Sequence, residues 1–138
     1  DLVRSRGLGD VYKRQVMKSH TLIGASMLAR LDHYRDEELA RTAYQICRWH
    51  HERYDGGGYP DGLKGEEIRI AAQVVSIADA YDALISPRVY KEGFSHEQAM
   101  QMIRNGECGA FNPLLIECLE DSQSRIRYLA SMTAERFS

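Results

Sequence analysis

From Val16 onward, apolar side chains recur at helical spacing: Met17, Leu22, Ile23, Met27, Leu28 and Leu31 form one stripe and predict a first helix. A polar break over Asp32 to Asp36 separates it from a second helix running from Asp36 to His51, with Leu39, Ala43, Ile46, Cys47 and Trp49 on its buried side. Asp36 is its expected cap, and Glu37 and Glu38 suit the positive end of the helix dipole. A third helix is predicted from Glu66 or Ile70 to Leu84, burying Ala71, Val74, Val75, Ala78, Tyr81 and Leu84 and stopped by Pro87. Ser95 with Gln98 three residues later forms a capping box that opens a fourth helix, ending near Asn105. A fifth begins near Asn112 with Pro113 at its first position, carries Leu114, Leu115, Ile116 and Leu119, and leads to a polar tail. No run alternates with period two, so the expected fold is all-α.

Two segments depart from this periodicity. Between Asp55 and Gly65 stand Gly56, Gly57, Gly58, Pro60, Gly62 and Gly65, a density that neither helix nor strand tolerates and that demands a shaped loop. Asp1 to Gln15 interleaves Arg4, Arg6, Lys13 and Arg14 with Gly7 and Gly9 and has no apolar period. Its last residues, Gly9 to Gln15, are similar to translated adapter sequence at the ends of assembled reading frames. Residues 1–15 are therefore read as a non-native or disordered segment and residues 16–138 as the domain.

Composition narrows the function classes. A chain of 138 residues with 43% hydrophobic and 28% charged residues can bury one core, and a formal net charge of -2 argues against an extended nucleic-acid surface. Three cysteines, Cys47, Cys108 and Cys118, lie in no metal-ligand spacing and read as reduced thiols. No apolar run approaches the roughly 18 residues that span a bilayer. The expected location is the cytoplasm, with a membrane anchor possible only in a longer parent.

The candidate chemistry gathers around the glycine loop. His50 and His51 precede it directly and His20 sits on the first helix. Adjacent helical residues point about 100° apart, so the pair divides more naturally between two metals than it serves one. Asp79 and Asp82, about one helical turn apart, share a face inside the apolar run Val74 to Leu84, where a buried carboxylate needs a cation. A histidine alone is more often a packed or surface residue, and His33 and His96 are read as surface. Arg88 and Lys91 are solvated charges by default, or phosphate clamps. Tyr59, held by Pro60, is either part of a tight connection or a rigid platform for a base or a protein partner.

The run from His50 to Gly65 closely resembles the HD-GYP family motif, HHE-x-x-DG-x-GYP-x-GL-x-G. Ala78 to Leu84 with Arg88, Tyr90 and Lys91 is similar to the family's next block, Phe111-Asn112-Pro113 to its F-[DN]-P ending, and Met17 to Thr21 with Gly24 and Leu28 to the segment around an intermediate histidine ligand. The similarity extends from Val16 to Leu119. It implies a helical bundle of the HD superfamily, incomplete at its N-terminus, that hydrolyses cyclic di-GMP to pGpG or GMP at two or three divalent metal ions, iron or manganese. By position it implies His20, His50, His51 and Asp79 as metal ligands, and Asp82 and Lys91 as catalytic side chains. Arg88 and Lys91 would contact phosphate, and Gly58, Tyr59 and Pro60 would line the substrate.

The same resemblance implies GGDEF-domain proteins as partners through the GYP loop, a sensor or receiver domain upstream, and a second copy in a homodimer. The family's His-Asp dyad belongs before His20, where only residues 1–15 stand, so this chain is expected to be inactive by itself. The reading from a different class is a regulatory module that senses cyclic di-GMP or docks a GGDEF protein without hydrolysis.

Overall fold

Capping, helix-stopping and small-residue signals account for most of the architecture in the computed structural model, which describes residues 22–27, 37–87 and 92–137, with side chains to 132. Residues 22–27 are helical (α1), followed by α2 (Glu38–Trp49), α3 (Ile70–Ile85), α4 (His96–Arg104), α5 (Pro113–Asp121) and α6 (Gln123–Phe137), with a 3₁₀ turn at Gly65–Glu67. The fold is all-α, and no strand occurs among the described residues.

The most buried helix is α3, whose inner stripe is Ala72, Gln73, Ser76, Ile77, Ala80, Tyr81 and Leu84. These recur at three- and four-residue steps, which places them on one face. Pro87 disfavours helical geometry at Ser86, whose extended backbone ends the helix. The chain then returns against α3: the Phe94 N–H donates to the Leu84 carbonyl at 2.8 Å. A side chain at Gly93 would put its Cβ 2.0 Å from the Ile85 carbonyl oxygen, so only glycine permits that approach.

The core joins Ile77, Ala80, Tyr81 and Leu84 of α3 to Ala99, Met100 and Ile103 of α4, then to Cys108 and Phe111. Ala80 and Ala99 keep the two helices close, and Ile103 fills the space between them. Ser95 caps α4 as expected: its hydroxyl accepts from the Gln98 N–H while the Gln98 amide oxygen accepts from the Ser95 N–H. Asn112 caps α5, accepting from the Leu114 N–H at 3.0 Å, with Pro113 next. Burial raises the Tyr81 hydroxyl and Cys108 thiol above their ordinary pKa ranges.

Several expectations are corrected. The stretch after α5 is not a polar tail but α6, separated by Ser122 alone. Its partly buried Ile126 and Ala130 pack against the core, which a composition rich in charge concealed. In α1 the buried position is Ala25, while Ile23 and Met27 are exposed; Met17, Leu28 and Leu31 lie outside the described residues. No residue of α2 is fully buried, and Leu39 is 78% exposed. On α3, Val74 and Ala78 face outward, because the helix is rotated to bring the polar Gln73 and Ser76 inward instead.

His96 is not a surface residue: it is half-buried, accepting from the Tyr81 hydroxyl at 2.8 Å through Nδ1 if its Nε2 donates to the Gln123 amide oxygen at 3.3 Å. Asp36 and His33 lie outside the described residues, and Glu37 takes the cap position of α2 without a side-chain bond. Cys47, Cys108 and Cys118 are free thiols, respectively half-buried, buried and exposed. No helix among the described residues is long and apolar enough to cross a membrane. Residues 1–15 lie outside the described residues.

Candidate metal and substrate site

The end of α2 delivers His50 and His51 to the turn that opens the glycine loop, with ring centroids 4.1 Å apart. His50 Nδ1 lies 2.6 Å from the Ile46 carbonyl oxygen, and a carbonyl only accepts, so the proton sits on Nδ1. The Nε2 lone pair of a neutral His50 is then turned away from the backbone, the tautomer a metal-ligating imidazole requires. His51 is held neutral: burial, then the nearby charges of His50 and Arg53, push its pKa down to about 4. Its ring stacks on Tyr59, with centroids 5.1 Å apart and planes 17° from parallel.

The loop between these residues is folded around a buried anion. Glu52 is 2% exposed, and its carboxylate accepts from three consecutive backbone N–H groups, those of Asp61 at 2.6 Å, Gly62 at 2.9 Å and Leu63 at 2.9 Å. Charged acceptors make the stronger hydrogen bonds, and the three donors satisfy a group that would be costly to bury bare. Gly58 lies directly on the histidine turn: a Cβ there would stand 2.4 Å from both the Arg53 nitrogen and the His51 carbonyl oxygen. The Tyr59 N–H donates to that same carbonyl at 3.2 Å. Tyr59-Pro60 is a cis peptide, and Gly56 has a φ of 87° that side chains rarely adopt.

Outside the loop, Asp61 receives a two-pronged bond from Arg48, at 2.9 and 3.0 Å, and one from the Trp49 indole at 2.7 Å. Inside, the half-buried Arg53 guanidinium donates to the Ser76 hydroxyl at 3.0 Å and the Glu52 carbonyl at 3.2 Å, and lies 5.5 Å from the centre of the Phe111 ring. Burial lowers its pKa, against the raising influence of Tyr59, Cys108, Asp79 and Asp55. The Tyr54 N–H donates to the Ala110 carbonyl, and Asn112 donates to the buried Gln73 at 3.1 Å. The histidine turn, α3 and the Phe111-Asn112-Pro113 turn are thereby one hydrogen-bonded unit.

Of the expected site residues, His50, His51, Gly58, Tyr59 and Pro60 come together here. Asp79 and Asp82 are on α3 as expected but exposed, contrary to the burial anticipated from the apolar run, because they flank the inner stripe of that helix. His20, Arg88 and Lys91 lie outside the described residues. Among the described residues, no three histidine, cysteine, aspartate or glutamate side chains gather closely enough to hold a metal ion. His50 by its tautomer and His51 by its charge state fit the role of donors, and further ligands would be needed to complete a site. Arg53 and Asp61 were not singled out by sequence reasoning, and Glu52 only as the residue that follows the histidine pair; all three stand in the motif run, but their contacts depend on how the chain folds back.

The HD domain family matches residues 6–112. A cyclic di-GMP phosphodiesterase of Vibrio cholerae is 44% identical over 103 residues, 74% of this chain and 21% of the relative. A cyclic di-GMP phosphodiesterase response regulator of Xanthomonas campestris is 35% identical over 114 residues, 83% of this chain and 29% of the relative. A 3'3'-cGAMP-specific phosphodiesterase of Vibrio cholerae is 32% identical over 118 residues, 86% of this chain and 22% of the relative. The chain thus spans less than a third of each of these relatives. HD domain phosphodiesterases are metal-dependent. With that match covering most of its length, and with the histidine pair and GYP loop built as one unit, the chain belongs to the HD domain family, in its HD-GYP form.

Proposed function

We propose that this chain is part of a metal-dependent phosphodiesterase that hydrolyses cyclic di-GMP to pGpG or GMP in bacterial signalling. The observation that carries the reading is the fixed pair formed by neutral His51 and Tyr59 beside His50, whose Nδ1 is occupied by a carbonyl. Similarity to named cyclic di-GMP phosphodiesterases supports it. His20, His50, His51 and Asp79 would hold two or three divalent ions, iron or manganese. Bound there, such ions polarise a phosphodiester and neutralise charge developing on it.

The chain's own groups supply position. His51 presents a neutral ring and His50 a ring whose Nδ1 is engaged by a carbonyl, Tyr59 and Pro60 form a rigid wall, and Gly58 lets that wall stand against the histidine turn. Asp82 would orient water, and Arg88 and Lys91 would clamp phosphate oxygens. Residues 16–138 constitute the domain in this reading, with residues 1–15 outside it. The protein would act in the cytoplasm, joined to a sensor or receiver domain, as a homodimer, with GGDEF-domain proteins meeting the GYP loop.

Similarity to a 3'3'-cGAMP-specific enzyme over 86% of this chain favours a second substrate of the same class. Incubation of this chain, and of a version extended upstream to carry the His-Asp dyad, with Mn²⁺ or Fe²⁺ and either cyclic dinucleotide, followed by chromatography of the products, tests both readings. The expected result is linear dinucleotide or mononucleotide from the extended protein and none from this chain by itself, with the product lost from the extended protein in His50→Ala and His51→Ala. Binding of the dinucleotide without cleavage by the extended protein would replace the enzyme with the sensing module; the absence of both binding and cleavage there would overturn the proposal.

A further inference from the structure

We infer that Glu52 is a positioning residue that sets the His51–Tyr59 pair by anchoring the far side of the loop that carries Tyr59. The inference deepens the proposed function, resting on the reading of that loop as the substrate wall. Its basis is geometric. The Glu52 backbone immediately follows His51, while its carboxylate reaches nine to eleven residues ahead to the N–H groups of Asp61, Gly62 and Leu63. One side chain therefore ties the stem of the loop to its returning backbone. Between these two points the chain passes through Gly58, Tyr59 and Pro60, with Gly58 packed on the histidine turn and the Tyr59 N–H bonded to the His51 carbonyl.

The chemistry is that of an anion cradle in reverse: successive backbone N–H groups converge on a carboxylate that the protein itself supplies. Both carboxylate oxygens are used, Oε1 by two donors and Oε2 by one. An amide cannot substitute fully. The Glu52→Gln side chain would offer one oxygen and one NH₂ group, and the NH₂ would face a backbone donor with nothing to accept. An aspartate would keep the charge with a shorter reach. The two substitutions therefore separate charge from span.

Trp49 is the single tryptophan of the chain, and its indole N–H bonds to Asp61, a residue whose backbone N–H is held by Glu52. Its fluorescence therefore reports whether the loop is docked and requires no turnover. The experiment compares wild type, Glu52→Gln and Glu52→Asp by far-UV circular dichroism, Trp49 emission and bound Mn²⁺ per chain. The expected result is unchanged helicity with red-shifted emission and at least a roughly fivefold weaker Mn²⁺ affinity in Glu52→Gln, partly restored in Glu52→Asp.

Unmoved emission and Mn²⁺ binding in a folded variant would overturn the inference. Loss of helicity in both variants would overturn it as well, since Glu52 would then serve the whole fold rather than the loop. Absence of cyclic dinucleotide hydrolysis in a version extended upstream to carry the His-Asp dyad would strike the proposed function while leaving the emission test of Glu52 intact.

Discussion

Alanine at position 58 offers a stringent test of the loop geometry. A Cβ there would stand 2.4 Å from the Arg53 nitrogen, 2.4 Å from the His51 carbonyl oxygen and 2.6 Å from the Glu52 carbonyl carbon, all backbone atoms. Normal contact would require the two backbones to separate by about 1 Å, and a close-packed turn has no soft side chain to absorb it. The Glu52 bonds to the loop begin at 2.6–2.9 Å, so the same displacement carries one or two of them beyond bonding range.

Hydrogen bonds to a charged group contribute about 1.5–3 kcal/mol each, so Gly58→Ala should destabilise the chain by about 2–5 kcal/mol. At roughly 3 °C per kcal/mol for a domain of this size, the melting temperature falls by about 6–15 °C. Thermal unfolding followed by circular dichroism, with Trp49 emission recorded below the transition, measures it. Gly57→Ala is the control, since a Cβ there meets only the Asp55 side chain, at 3.1 Å, and should cost no more than about 0.5 kcal/mol. A Gly58→Ala protein that melts with wild type and keeps its emission would refute the argument.

Further outcomes follow from the core and the turns. Ile103 is 1% exposed, so Ile103→Ala should lose about 2–5 kcal/mol in urea denaturation, more than a similar truncation at the exposed Leu39. Asn112→Ala removes a cap and leaves Gln73 without its donor, for a loss of roughly 2–4 kcal/mol by the same assay; Asn112→Asp should recover the cap's share of about 1 kcal/mol. A thiol reagent should label exposed Cys118 rapidly in the native chain, and Cys108 only on unfolding, because burial raises its pKa and shields it. Mass mapping of labelled peptides reads that order.

The helices were legible where local chemistry decides them. Ser95 with Gln98, Asn112 with Pro113, and Pro87 act within a few residues of themselves, and each stands where its signal placed it. What failed was orientation. Periodicity says that α3 has two faces, but both carry apolar residues, so the choice between Val74 and Ile77 belongs to the neighbouring helix. Packing against α4 selected Ile77, Ala80 and Leu84, and turned Asp79 and Asp82 outward. The tail read as polar became α6 for the same reason: Ile126 and Ala130 are sparse among charges, yet they meet the core.

By itself the sequence determined an all-α chain, a glycine-rich loop directly after two histidines, and membership of a family recognisable from an unbroken motif. Tertiary structure alone decided that Glu52 would face the returning loop, that Arg53 would lie between Ser76 and Phe111, and that Tyr59 would stack on His51. The physical reason is distance along the chain. Caps and turns are settled by neighbours in sequence, whereas a buried charge takes its partners from whatever donors the folded backbone brings within about 3 Å.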